Sequence, residues 1–381
     1  MLDRRRALAV GVCAALTPAT GFAKQMDDEV TDSQTYSAMA MQLTARSLER
    51  LSDADARAAM LRHIAEIEPA IQSSARFVGV YSGRPVKLVI LPEYLFTSYP
   101  ERIEMDAFAR RVGWAPGGPE YEALGGVAQR LNMHIAGNAY ETDEHFEGFY
   151  FQTSFVVAPS GDVVLRYRRL LSMFAPSPHD VWDAYLDRYG MDGVFPVAKT
   201  EIGNLAAIAS EEILYPEIAR ALALRGAEVF CHSSSEVGSP LSTNKDIAKQ
   251  ARAFENMAYV VSANTAGISG TGLPLSSAEG SSQIVDHRGK VVAESNDGET
   301  FTAFATIDLN GLRSARRTPA MINYLARQRP SLFAAAYSDA ADPFEAGNAM
   351  MKDGKPVLPS REHFQRAQSN VIERLGKAGI I

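Results

Sequence analysis

The apolar positions of the chain follow two spacings, one typical of helices and one typical of strands. Ser52 and Asp55 resemble a capping box, so we expect a helix to begin there. Pro69 lies inside the helical pattern that follows, and we expect a kink or a new helix start at this residue. The apolar residues that recur at helical spacing are Leu61, Ile64, Ile67, Ile71, Ala75 and Val78.

Short apolar runs bounded by turn residues predict the strands. The Pro-Ser-Gly turn at 159–161 separates two such runs, which predict a β-hairpin. Further helices are expected at 216–226, at 244–257 and near 362–375. This mixture of βαβ units and hairpins indicates a layered α/β fold and not an all-parallel sheet. The predicted strands are 38–43, 86–91, 149–157, 163–167, 205–209, a strand that begins at 228–231, 259–263, 283–285, 290–294 and 301–307.

The composition narrows the classes of function. The chain has 381 residues, of which 46% are hydrophobic and 22% charged, and this balance excludes intrinsic disorder. A net charge of −7 gives no electrostatic basis for binding nucleic acid. Two cysteines exclude a disulfide scaffold, and the seven histidines show no metal-ligand spacing. The glycine-rich run 267–272 lacks the spacing of a dinucleotide site, so we expect neither a metal nor a cofactor.

The N-terminus has the pattern of an export signal. Three arginines at 4–6 precede an apolar run at 7–16, and small residues end the segment at Ala23. The run is too short to span a bilayer, and the arginines resemble a twin-arginine signal. We expect cleavage after Ala23, a periplasmic or secreted protein, and no stable membrane insertion after processing. The expected organisation is then a lead at 24–35, one domain at 36–330 and a C-terminal tail at 331–381.

Three candidate site residues stand where predicted strands end. Glu93 follows a buried strand, so partial desolvation would raise its pKa and suit it to act as a general base. Arg169 ends the predicted hairpin, and Ser210 lies between a strand and a helix, where backbone N–H groups can hold an oxyanion. Taken singly, the first two residues are equally consistent with solvated charges, and Ser210 with a turn serine.

Several segments together resemble the nitrilase, or carbon–nitrogen hydrolase, superfamily. The resemblance covers about residues 36–330 and is strongest toward the aliphatic-amidase-like branch, in which Tyr-Pro-Glu follows two acidic residues. The segments that carry it are 91–94 (LPEY), 167–169 (YRR), 210–220 (SEEILYPEIAR), 225–228 (RGAE), 252–256 (RAFEN), 264–267 (NTAG) and 281–286 (SSQIVD), followed by Gly289.

The resemblance implies a four-layer αββα sandwich and a catalytic set of Glu, Lys and Cys. Glu93 fits the first position, but Arg169 replaces the lysine and Ser210 replaces the cysteine. It also implies a homo-oligomer that needs no cofactor. The residues that it places at the substrate are Tyr94, Glu211, Glu212 and His232.

The two replacements change the chemistry of the catalytic set. An arginine keeps the positive charge but, with a pKa above about 12, does not shuttle a proton. A serine hydroxyl is a weaker nucleophile than a thiol unless a base takes its proton. Two further possibilities remain open: Cys231 could act as nucleophile, or a histidine such as His179 or His232 could reach Ser210.

Two functions follow from these residues. The first is an amidase-like hydrolase or acyl-transfer enzyme that acts on a small amide or ester, with Ser210 as nucleophile, Glu93 as base and Arg169 at the oxyanion. The alternative is a non-catalytic member of the superfamily that binds a small amide or carboxylate in the same pocket, where Arg169 would favour an anion.

Overall fold

The computed structural model describes residues 34–100, 103–236, 244–278 and 280–381. All of them belong to one compact unit, Ser33–Ile381. The expected export signal at 1–23 and most of the expected lead at 24–35 lie outside the described residues. Within the described part of the chain, no helix has the length and apolar character that crossing a membrane requires.

Strands and helices alternate along the chain, with hairpins at several positions. Short 3₁₀ helices occur at Pro178–Val181, Ser210–Leu214 and Leu275–Ser277. The strands are β1 (Thr35–Gln42), β2 (Thr44–Arg46), β3 (Val86–Ile90), β4 (His134–Thr142), β5 (Tyr150–Val157), β6 (Val163–Arg168), β7 (Ala198–Thr200), β8 (Gly203–Ala209), β9 (Val229–Ser234), β10 (Tyr259–Asn264), β11 (Gly267–Ser269), β12 (Gln283–Val285), β13 (Val291–Glu294), β14 (Thr300–Asp308), β15 (Met351–Lys352) and β16 (Lys355–Pro356). The α-helices are α1 (Asp53–Ser82), α2 (Met105–Val112), α3 (Pro119–Leu131), α4 (Trp182–Val194), α5 (Pro216–Leu224), α6 (Lys245–Asn256), α7 (Leu309–Arg317), α8 (Pro330–Asp339) and α9 (Arg361–Lys377).

Two six-stranded sheets pack face to face. Their strand orders are β14-β1-β3-β4-β5-β6 and β13-β12-β10-β9-β8-β7. Successive side chains of a strand point to opposite faces, and β1 shows the result: Ala38 lies in the core between the sheets, whereas Met39 packs with Ile64 and Ile71 of α1. Ile218 and Leu222 of α5 cover the other sheet. These four layers confirm the αββα sandwich that the resemblance implied.

The candidate site lies where strand ends of the two sheets meet. Strands β8, β9 and β10 are parallel to one another, so their carboxyl ends lie at one edge. The Glu93 N–H, just after β3, donates to the Ser234 carbonyl at the end of β9 over 3.2 Å. The Thr265 hydroxyl, just after β10, donates to the Glu93 carbonyl over 2.9 Å. The second sheet therefore fixes the position of a residue that the first sheet presents.

Most strongly patterned elements form where the sequence predicts them. The Ser52 hydroxyl caps α1 by accepting from the Asp55 N–H over 3.2 Å. The expected break at Pro69 is wrong, because α1 continues through it. Pro69 lies on the exposed side of the helix, while Ile67 and Ile71 on either side are buried, so packing holds both halves together.

The C-terminal residues contribute to the folded unit beyond their own helices. Met350 is buried against Tyr185 and Phe151, and Gly347 lies against the ring of Trp182. Phe364 of α9 reaches the wall of the candidate site. The segment expected as a tail therefore packs on the elements that surround the site.

Candidate active site

A pocket of about 720 Å³ opens at the shared sheet edge and contains the three candidate catalytic residues. A larger cavity of about 1000 Å³ lies elsewhere, between Arg46, His63 and Glu299. In that cavity Arg46 is already paired with Glu66 at 2.6 Å, and none of the candidate catalytic residues lines it. We therefore place the site in the smaller pocket.

Ser210 occupies a strained turn between β8 and the 3₁₀ helix that leads into α5. Its φ angle is +47°, in the left-handed region that residues other than glycine seldom adopt. Such strain costs about 1–3 kcal/mol and is concentrated at active sites. The residue is 5% exposed and lines the pocket, so the turn presents a nearly buried hydroxyl to a ligand.

Glu93 is a carboxylate buried at the base of the pocket, with 1% of its surface exposed. Its Oε1 accepts from Gln152 Nε2 over 2.5 Å, and its Oε2 accepts no well-oriented hydrogen bond from the described residues. Burial raises the pKa of Glu93, while Arg169, Lys245 and the nearby Ser210 hydroxyl oppose the rise. A raised pKa makes the carboxylate a stronger base than a solvated glutamate.

Arg169 is held on several sides. Its Nη1 donates to Gln152 Oε1 over 2.7 Å and lies 3.7 Å from Glu93 Oε1, and its Nε donates to the Leu171 carbonyl over 2.7 Å. Its Nη2 is paired with Glu211. Burial alone would lower the pKa of Arg169, but Glu211 and Glu93 raise it above the ordinary value. The guanidinium is a fixed charge that orients Glu93 through Gln152.

Two residues of the site escaped the sequence analysis, Gln152 and Lys245. Gln152 lies within β5, where every residue is buried, so no alternation marks it. Lys245 is the first residue of α6, and its Nζ lies 3.3 Å from Ser210 Oγ. One signal was available for it: a lysine at a helix N-terminus opposes the helix dipole and needs compensation from elsewhere.

Tyr94 and Glu211 line the pocket, as the resemblance led us to expect. The Tyr94 ring stacks on Tyr140 with centroids 6.4 Å apart. Glu212, also expected at the substrate, does not reach the pocket: it is fully buried and accepts from Tyr167 Oη over 2.7 Å and from the Leu170 N–H over 2.7 Å. Burial raises the pKa of Glu212 to about 7. Its role in the structure is to fix the segment after β6.

His232 also lies behind the pocket and not on its wall. Its Nε2 is 2.8 Å from the Ser210 carbonyl oxygen, and its Nδ1 is 2.8 Å from Ser262 Oγ. Burial lowers the pKa of His232 to about 3, so the ring is neutral. The histidine contacts the Ser210 main chain instead of its hydroxyl, and it supports the strained turn without forming a serine–histidine pair.

Cys231 and His179 also lie away from the Ser210 hydroxyl. Cys231 is in the core between the sheets, and burial raises the pKa of its thiol to about 12, which disfavours the thiolate. His179 stacks on Trp182 with centroids 5.5 Å apart, away from the pocket wall. Over the described part of the chain, no cluster of three His, Cys, Asp or Glu side chains could hold a metal ion.

Comparison with known proteins decides the family. The sequence model described as carbon-nitrogen hydrolase matches residues 52–317, which is more than half of the chain. The chain belongs to the carbon–nitrogen hydrolase family. Among curated relatives it is similar to a probable nitrilase of Schizosaccharomyces pombe, with 23% identity over 68% of this chain and 89% of the relative.

Solved structures of carbon–nitrogen hydrolases share the fold. Nit3 of Saccharomyces cerevisiae, a member of branch 10 of the nitrilase superfamily, has a TM-score of 0.55 and 21% identity, covering 76% of this chain and 95% of Nit3. A double mutant of the amidase from Nesterenkonia sp. AN1, in complex with acrylamide, has a TM-score of 0.53 and 17% identity, covering 80% and 97%. These likenesses establish the αββα fold of a carbon–nitrogen hydrolase.

Proposed function

We propose that the protein is an amidase-like carbon–nitrogen hydrolase that uses Ser210 in place of a cysteine. One observation supports this above the others: a strained Ser210 turn and the buried carboxylate of Glu93 line the same pocket. The related Nesterenkonia amidase carries the acetamide moiety of fluoroacetamide on its active-site cysteine. Here the equivalent covalent bond would form on the Ser210 hydroxyl.

The reaction then takes two steps. Ser210 Oγ attacks the carbonyl carbon while its proton passes to Glu93, and the carbonyl oxygen becomes an oxyanion. The N–H groups of the turn after Ser210 and the charge of Arg169 stabilise this oxyanion. Glu93 returns the proton to the leaving nitrogen, the C–N bond breaks, and an acyl ester remains on Ser210. Water, deprotonated by Glu93, hydrolyses the ester and restores the hydroxyl.

The walls of the pocket favour a substrate with an apolar group. A volume of about 720 Å³ is much larger than an amide group needs and falls in the range of small-molecule sites. We therefore propose an amide or ester whose acyl part is apolar and contacts aromatic side chains. The apolar residues of the wall include Tyr99, Ile103, Met105, Tyr150, Phe174, Leu273 and Phe364.

The test is turnover of a panel of amides, nitriles and esters with graded acyl groups, by the parent and by Ser210→Ala. We expect the alanine variant to lose at least about 1000-fold in kcat/KM. Cys231→Ala is the matched control, because it removes the remaining thiol of the processed chain and should keep the parent activity. Saturable binding without turnover would support the non-catalytic alternative, and equal activity of parent and Ser210→Ala would remove Ser210 from the mechanism.

We also propose that the protein is exported and self-associates. The N-terminal pattern supports export, and the exposed side chains of Leu332, Phe333 and Tyr337 on α8 support association. Fractionation with sequencing of the mature N-terminus tests the first, and sedimentation the second. An uncleaved cytoplasmic product or a monomer at high concentration would contradict them.

A further inference from the structure

We propose that Lys245 is a catalytic residue that supplies the ammonium charge missing at position 169. The inference rests on the proposed function, because it assigns a partner to the Ser210 nucleophile. Lys245 comes from a different element than Arg169: it begins α6, whereas Arg169 follows β6. In this protein the lysine of the catalytic set has in effect moved to another helix.

The contact that carries the inference is the one between Lys245 and the serine hydroxyl. Lys245 Nζ donates to Ser210 Oγ over 3.3 Å, and both residues line the pocket. Lys245 is 6% exposed, so its charge acts on Ser210 with little screening by water. Arg169, in contrast, is bound to Gln152 and to the Leu171 carbonyl, which hold it beside Glu93.

The groups around Lys245 Nζ are suited to its protonated form. Nζ donates to the Ser235 carbonyl over 3.0 Å and lies 2.8 Å from Glu236 Oε2. A further contact of 3.4 Å joins it to Ser234 Oγ. An ammonium has three donors and no acceptor, and here it is surrounded by acceptors. Lys245 is therefore a charge donor and not the base.

The position of Lys245 in α6 makes a purely structural explanation less suitable. A cation at a helix N-terminus interacts unfavourably with the helix dipole, and burying it adds a desolvation cost. Glu236 offsets part of both costs. Lys249, one turn further along the same helix, is also buried and is paired with Asp246 at 2.7 Å, but it does not line the pocket. The two lysines differ in what they contact, and only Lys245 contacts the nucleophile.

The role of Lys245 fits the proton balance of the proposed reaction. As the Ser210 proton moves to Glu93, negative charge grows on Oγ, and the Lys245 ammonium stabilises it by a charge-assisted hydrogen bond. When the acyl ester is hydrolysed, Oγ leaves as an incipient alkoxide and the same ammonium stabilises it before Glu93 returns the proton. Lys245 keeps its own proton throughout, and no other reactant is required.

The experiment measures how fast a fluorophosphonate ester labels Ser210, by intact mass and peptide mapping, beside turnover of an ester substrate. In the labelling step the Oγ–P bond forms, fluoride leaves and Glu93 takes the hydroxyl proton. The variants are Lys245→Met, Lys245→Arg and, as matched control, Lys249→Met. Circular dichroism and thermal unfolding establish that each variant is folded.

We expect Lys245→Met to be labelled about 100-fold more slowly than the parent, as for loss of one charge-stabilising donor. Lys245→Arg should stay within about tenfold, because it keeps the charge, and Lys249→Met within about threefold. Equal labelling of the parent and Lys245→Met overturns the inference, as does a Lys245→Arg variant as slow as Lys245→Met, which would make the lysine a base. A parent with neither labelling nor turnover overturns both this inference and the proposed function, whereas an active parent with an equally active Lys245→Met overturns the inference alone.

Discussion

Gln152 Nε2 lies 2.5 Å from Glu93 Oε1 and fixes the orientation of the buried carboxylate. The same amide accepts from Arg169 over 2.7 Å, so one side chain joins the guanidinium to the base. A hydrogen bond to the ionised carboxylate lowers its pKa. Gln152 therefore offsets part of the rise that burial causes in the pKa of Glu93.

The first prediction concerns this bridge. In Gln152→Leu the pKa of Glu93 should rise further, because a hydrogen bond to the ionised form is lost. The acid limb of kcat/KM should then move to higher pH, with about a tenfold lower rate at neutral pH. Thr153→Val is the matched control, since Thr153 is the next residue of β5 and points to the opposite face. A pH profile in Gln152→Leu that overlays the parent would refute the bridge.

The sequence revealed the site residues that stand at strand ends but not those that complete them. Glu93 and Ser210 could be predicted because a polar residue after a buried strand stands out from the local pattern. Gln152 lies in the middle of a strand buried on both faces, and Lys245 is 35 positions from Ser210. Their importance depends on contacts between distant segments, and one-dimensional periodicity does not encode these.

The fold showed the same division. Strands with clear turns at both ends, such as 163–167, were predicted to within a residue or two. Strand β4 was missed, since nearly all of its residues are buried and its apolar positions do not alternate with exposed ones. Helices α2 and α3 lie between β3 and β4 and were missed with it. Glu212 and His232 were misplaced because position in a motif does not say which way a side chain points.

The second prediction is a loss of stability in acid caused by His232. Burial lowers its folded-state pKa to about 3, below the unfolded value of 6.5. The unfolded chain therefore binds more protons between these values, and stability falls as pH decreases below 6.5. The contribution is about 1.4 kcal/mol per pH unit, or about 3 kcal/mol between pH 6.5 and 4. Urea unfolding across this range should give a shallower slope for His232→Gln than for the parent; parallel slopes would contradict the assignment.

The third prediction has the opposite sign and concerns Glu212. Burial raises its folded-state pKa to about 7, above the ordinary value of 4.5. The folded state then holds the proton longer, so stability falls as pH rises from 4.5 to 7 and levels off above. The contribution is about 3 kcal/mol over that range. Glu212→Gln, which resembles the protonated acid in shape, should lose this component in urea unfolding at pH 5 and pH 8. A variant with the parent's full pH dependence would disprove the prediction.

The fourth prediction tests the apolar wall of the pocket. Phe364→Ala removes an aromatic side chain that α9 contributes to the pocket. For an amide with a large apolar acyl group, kcat/KM should fall about tenfold, mainly through KM, because about 1–2 kcal/mol of apolar burial is lost. Acetamide, which does not reach the wall, should be unaffected. The exposed Ile372 of the same helix provides the control Ile372→Ala. An equal loss for both substrates would show that Phe364 supports the structure and not specificity.

The fifth prediction addresses the replaced nucleophile. Ser210→Cys restores a thiol in the strained turn, beside the same carboxylate and charges. Because a thiol ionises more readily than a hydroxyl, amide turnover by this variant should equal or exceed that of the parent. A Ser210→Cys protein without any amidase activity would indicate that the surrounding pocket is not arranged for acyl transfer.

The central claim is that the Ser210 hydroxyl forms a covalent acyl intermediate, and mass spectrometry tests it most directly. The parent is mixed with an activated ester that has an apolar acyl group, quenched in acid during turnover, digested and mapped. The account predicts the mass of the acyl group on the peptide that contains Ser210, and no adduct there in Ser210→Ala. An acyl group on any other residue, or turnover with no acyl enzyme and no loss in Ser210→Ala, would contradict it.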